Sequence, residues 1–123
     1  MFRFSQFVFA WTLLLLLMGC FCPVLGADME CPGGMEPTIA SLRECVEHAT
    51  VMGHISSSGV ALTLLAKLDV AAAAEGRDHV TAAANILEAF INEVRAQSGK
   101  TIDAEHADHM IDHTLLVIAA LLT

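Results

Sequence analysis

From Thr38 onward the apolar residues recur every three or four positions, in four separate segments, and nowhere do they alternate with period two. That spacing lays one apolar stripe along each of four helices and excludes a half-buried sheet. The first segment starts at Thr38, which has the side chain of an N-cap, and carries Ile39, Leu42, Val46 and Ala49 on one face as far as Gly53. A polar break at Ser56-Ser57-Ser58-Gly59 separates it from the second, with Ala61, Leu64, Leu65, Leu68, Ala71 and Ala72, which stops at Gly76. Asp78 stands where a cap is expected for the third, whose stripe is the most regular: Val80, Ala83, Ala84, Leu87, Phe90, Ile91 and Val94. Gly99 suits a left-handed turn after it. Asp103 is read as the cap of the fourth, with Ala107, Met110, Ile111, Leu115, Ile118 and Leu122 as its stripe. With one stripe per helix and short connections, the economical fold is all-α, a small antiparallel bundle of about four helices over residues 38–123.

The bundle follows a different kind of segment. Residues 1–26 begin with basic Arg3, continue through an apolar run from Phe7 to Met18, and end at Val24-Leu25-Gly26 before Ala27. A basic start, a short apolar middle and small or apolar residues at −3 and −1 describe a cleavable secretory signal, with the cut between Gly26 and Ala27. The apolar run falls short of the ~20 residues that cross a bilayer, so an uncleaved anchor is the weaker reading. A second route is a lipoprotein anchored at Cys20, because Leu17-Met18-Gly19-Cys20 resembles a lipobox. That route leaves Cys22 as an odd thiol beside Cys31 and Cys45, whereas cleavage before Ala27 leaves an even pair. The reading is therefore an exported chain, secreted or periplasmic, with no membrane span after cleavage. Two cysteines in such a chain are expected to form one disulfide, Cys31 to Cys45. Residues 27–37, with Cys31-Pro32-Gly33-Gly34, form a linker or turn ahead of the bundle.

Removing Arg3 with the leader leaves five of the six Lys/Arg against all fourteen Asp/Glu, a formal charge of −9. An acidic chain repels phosphate backbones, which excludes nucleic acid as a partner class and favours cations and basic surfaces.

Residues Leu64-Leu65-Ala66-Lys67-Leu68-Asp69, Ala83-Ala84, Leu87-Glu88-Ala89-Phe90-Ile91-Asn92-Glu93-Val94, Ala96-Gln97-Ser98-Gly99-Lys100 and Ala107-Asp108 match a known pattern in order and spacing. In them the chain resembles the FIMAH domain, a small helical module found mostly at the C-terminal end of secreted bacterial hydrolases and other cell-surface proteins. The resemblance spans about residues 38–123 and implies a non-catalytic accessory or interaction module. It carries over no catalytic residue. Ile86 and the histidines His106, His109 and His113 depart from the family pattern.

Those three histidines are the main candidates for chemistry. At 100° per residue they project from one sector of the fourth helix, where imidazoles one or two turns apart can share a transition metal, with Asp103 near enough to add a carboxylate. The first and third lie about 10.5 Å apart along the axis, so only one neighbouring pair chelates at once. The competing reading is a solvated sector flanking the apolar stripe. Cys45 and His48 lie three apart on the first helix but the disulfide would silence the thiol. No Gly-x-Ser-x-Gly elbow, phosphate loop or His-Glu-x-x-His motif is present, and no cofactor is called for. The apolar run Leu115–Leu122 reads as buried, with a homodimer contact through the last helix as its rival.

The sequence thus reads as a non-enzymatic, exported helical module acting on an unknown protein or cell-envelope partner. The alternative is an exported transition-metal-binding protein using the last helix. Intact-mass measurement of the exported protein should give a chain starting at Ala27 with no free thiol. A diacylglyceryl adduct on Cys20, or two titratable sulfhydryls, would contradict these expectations.

Overall fold

The computed structural model describes residues 36–123; the signal segment, the Gly26–Ala27 boundary, Cys20 and Cys31 lie outside the described residues. Four helices account for nearly all of the rest: α1 (Ile39–Val51), α2 (Ser58–Glu75), α3 (Val80–Gln97) and α4 (Ala104–Leu122). Each packs on the next and α4 returns to α1, so the four close a ring around a single core. No described helix is long and apolar enough to cross a membrane.

The stripes of α1 and α3 enter the core almost as their spacing dictates. Ile39, Leu42, Val46 and Ala49 of α1 are buried together with Cys45, and Ala83, Ala84, Leu87, Phe90, Ile91 and Val94 of α3 are buried beside them. On α2 the buried face is Ala61, Leu64, Leu68 and Ala71. Leu65 is only partly covered, and Ala72 faces solvent. Ion pairs bridge the outer surfaces, Arg43 to Asp69 between α1 and α2, and Lys67 to Glu93 between α2 and α3. The exposed Arg43–Asp69 pair adds at most about 1 kcal/mol, and Lys67–Glu93 is the more covered of the two.

The helix ends explain several departures from the sequence reading. Thr38 does cap α1, accepting the Ser41 amide at 3.1 Å. At the other end Gly53 is left-handed, with φ 85°, its amide bonded to the Thr50 carbonyl and the His54 amide to that of Ala49. Paired bonds of this kind around a left-handed residue form a Schellman motif, and they fix the exit direction of the chain. The serine run is not a loop throughout, because Ser57 caps α2 through the Val60 amide and Ser58 and Gly59 already belong to the helix.

Asp78 does not cap α3. It is the non-glycine residue with positive φ (60°) among those described, and it closes the turn after α2 while His79 takes the N-cap position without a side-chain bond. Asp is one of the few residues that enters this conformation at modest cost. Asp103 is the N-cap residue of α4 by position, but its carboxylate makes no capping hydrogen bond.

The largest correction concerns α4. Its buried face is His106, Ala107, Met110, Ile111, His113, Thr114 and Val117, whereas Leu115, Leu116 and Leu122 are exposed. The terminal apolar run is therefore covered on one side only. Where leucines and isoleucines surround a helix, spacing no longer selects the face, and polar side chains with partners inside decide it. Thr114 bonds the Met110 carbonyl at 2.6 Å, and His113 finds partners on α1.

Phe90 is fully buried at the centre of this core. Phe90→Ala should lower unfolding free energy by about 3–5 kcal/mol in chemical denaturation, the range for truncating a buried Phe. A loss under ~1 kcal/mol would show that α3 does not face the core.

Candidate functional site

Between the helices, two loops that look featureless in sequence are joined to each other. The Ser56 amide donates to the Thr101 carbonyl at 2.8 Å, and the Asp103 amide donates to the His54 carbonyl at 2.9 Å. The two bonds flank an antiparallel bridge between Ile55 and Ile102, both of which are buried. The turn after α1 is thereby fastened to the entry of α4.

This clamp sets His54 and Asp103 side by side, and His106 follows Asp103 by one helical turn. Asp103 Oδ2 lies 3.7 Å from Nδ1 of His54 and 3.7 Å from Nδ1 of His106, close enough to attract but too long for hydrogen bonds. The two imidazoles stack with centroids 3.6 Å apart and planes 14° from parallel. The His106 side chain is 10 % exposed, that of His54 27 % and that of Asp103 54 %. Buried Nδ1 of His106 has no hydrogen-bond partner. Burial pushes the His106 imidazole below the usual histidine range, helped by His54, while Asp103 pulls the other way. One ligand atom from each of His54, Asp103 and His106 lies within 4.8 Å of the others, a grouping that can hold a metal ion.

The three histidines read from the sequence do not converge. His106 joins the group just described, but His109 and His113 are outside it. His109 is half-buried, with Nε2 lacking a hydrogen-bond partner. His113 is fully buried, its Nε2 lying 2.9 Å from Ser41 Oγ and 3.0 Å from the Glu36 carbonyl. The solvated sector expected for these residues is therefore wrong for His106 and His113, which face inward. His54 was missed because the bridge that brings it to Asp103 joins residues far apart in sequence.

The Ser41–His113 contact has the spacing of a nucleophile and its base, so its wiring matters. Ser41 Oγ also lies 2.9 Å from the Thr38 carbonyl, and it contacts that of Glu36. Assigning the ring proton to Nε2 lets His113 donate to the Glu36 carbonyl and lets Ser41 donate to a backbone carbonyl, while the buried Nδ1 of His113 has no hydrogen-bond partner. In that tautomer Nε2 has no lone pair to take a serine proton. Both side chains are buried, and the pair works as a fastener between α1 and α4. Cys45 is buried on the same helix; its expected partner Cys31 is not among the described residues.

The outer face offers a second feature. An apolar groove of about 480 Å³ runs between α1 and α2, lined by Glu47, Thr50, Val51, Ala61, Leu62 and Leu65. Val51 and Leu62 are 83 % and 67 % exposed, unusually open for large apolar residues.

Comparison with known proteins agrees with the helical pattern. The model of the FIMAH domain matches residues 39–119, from the first residue of α1 nearly to the end of α4. No curated protein and no solved structure matches the chain. The family match covers about two thirds of the chain and all four helices, and on that ground the protein belongs to the FIMAH domain family.

Proposed function

We infer that this chain is an exported, non-catalytic interaction module that binds a partner protein through the groove between α1 and α2. The observation carrying the reading is the pair Val51 and Leu62, left exposed on either side of an apolar cleft while the helix faces opposite them fill the core. Water against such a cleft is released when an apolar side chain enters it, and each buried CH₂ contributes about 0.8 kcal/mol. The acidic surface selects the surroundings of that anchor. A chain with fourteen Asp/Glu against six Lys/Arg favours a partner whose apolar anchor is ringed by basic side chains.

The family match supports an accessory role, since the family consists of helical modules carried by exported proteins, but analogy of fold raises a functional reading without completing it. The Ser41–His113 contact, found among the described residues, is buried and held by backbone carbonyls, so it is not offered as a catalytic pair. Export rests on the leader composition of residues 1–26.

Val51→Asp/Leu62→Asp places two charges on exposed positions and should leave the fold intact. The wild-type protein should capture its partner from the native envelope fraction at low salt, with less captured at high salt, since exposed charges are screened within about 10 Å at 0.1 M. The double variant should lose that same partner. Undiminished capture by the folded double variant would remove the groove from the account. Hydrolysis of ester, phosphate or glycoside substrates that disappears on one side-chain change would end the non-catalytic reading.

A further inference from the structure

We propose that His54, Asp103 and His106 form a site for a zinc-class divalent metal ion, with an outward coordination position left for water or a ligand. The donor set is one that such ions accept, two neutral imidazoles and one carboxylate. It is drawn from two segments that no sequence motif connects, and it is held by backbone bonds and not by the ligands themselves.

Three observations carry the site. First, the loop clamp positions it: the Asp103 amide bonds the His54 carbonyl, and the Schellman turn at Gly53 fixes the backbone of His54 from the other side. Second, Asp103 occupies the N-cap position of α4 and yet its carboxylate forgoes the capping bond, turning to the two imidazoles instead. An N-cap side-chain bond ordinarily stabilises a helix start, so its absence calls for another use of the carboxylate. Third, His106 is nine-tenths buried and directs an unpartnered Nδ1 at that carboxylate. A buried donor or acceptor without a partner is destabilising, and coordination would remove that cost.

The donor atoms stand close to their coordination separations, but one ring must reorient. Tetrahedral zinc with bonds near 2.0–2.1 Å sets its ligand atoms roughly 3.3 Å apart. The two nitrogen–oxygen separations of 3.7 Å contract to that value by a few tenths of an ångström. The stacked rings hold their nitrogens side by side, so one must tilt for the lone pairs to converge. His54, the more exposed of the two, has the freedom to turn, whereas His106 is fixed by packing on α4. The acidic surface favours cation approach. Asp103, half exposed, leaves the outer side of the ion open. His109 and His113 take no part, which separates this site from a chelate along a single helix.

Metal-free full-length protein titrated with Zn²⁺ alone, in competition with a chromophoric chelator, tests the assignment. One equivalent should bind with a dissociation constant of about 1 µM or tighter, and the ring signals of His54 and His106 should shift while those of His113 stay in place. His54→Ala and Asp103→Asn lie at exposed or half-exposed positions and should each weaken binding tenfold or more, with His109→Ala unchanged. Absence of saturable binding below about 100 µM would overturn the site, as would tight binding that survives both His54→Ala and Asp103→Asn. Either failure leaves the partner groove untouched, because that groove lies on α1 and α2 and is tested by different variants.

Discussion

The joint between the α1–α2 turn and the α3–α4 turn is the constraint on which the rest of this structure depends. Two amide–carbonyl bonds, Ser56 to Thr101 and Asp103 to His54, enclose the buried pair Ile55 and Ile102. Burying each isoleucine contributes about 1.5–3 kcal/mol, and the bonds spare backbone groups that would otherwise be covered without partners. The joint ties the exit of α1 to the entry of α4, which are neighbours in the closed ring of helices. It also determines that a histidine, an aspartate and a second histidine meet at that end of the bundle.

The second fastener between the same two helices is polar. His113 bonds Ser41 and the carbonyl of Glu36, so α4 presents an imidazole to the core where a leucine would have been the ordinary choice. Once that imidazole is inside, the rotation of α4 follows: Thr114 and Val117 enter the core, and Leu115, Leu116 and Leu122 are left at the surface. A serine and a histidine at bonding distance thus serve architecture, and their burial explains why the contact offers no route to a substrate. The contrast with His54 and His106 is instructive. There the unpartnered Nδ1 of His106 lies beside a half-exposed carboxylate and a second imidazole, and it is that juxtaposition which points to a ligand.

Much of the fold was legible because α1 and α3 each carry a single apolar stripe with polar residues elsewhere, and Thr38 and Gly99 have the side chains that their positions demand. The all-α reading used all four stripes, and the family resemblance rested on residues of α2, α3 and the start of α4. Legibility failed where one residue had two possible duties. Asp78 and Asp103 both look like caps, but one closes a left-handed turn and the other turns its carboxylate toward histidines. It failed again on the second half of α4, where the apolar run Leu115–Leu122 leaves periodicity nothing to select, whereas Ala107, Met110 and Ile111 are buried as their spacing predicts. Ile55 and Ile102 gave no signal at all, since a lone isoleucine in a turn has no period, and without them the approach of His54 to Asp103 has no precursor in the sequence. Of the three histidines on the last helix, only His106 belongs to the group that the fold assembles.

The loop joint is a fixed part of the fold and holds the histidine–aspartate group in place. Native-state amide hydrogen exchange measures this directly. The account predicts that the Ser56 and Asp103 amides are protected to nearly the same degree as Leu87 and Phe90 in the centre of α3, because they open only when the bundle does. Exchange at Ser56 and Asp103 as fast as in an unstructured loop, with α3 still protected, would contradict it.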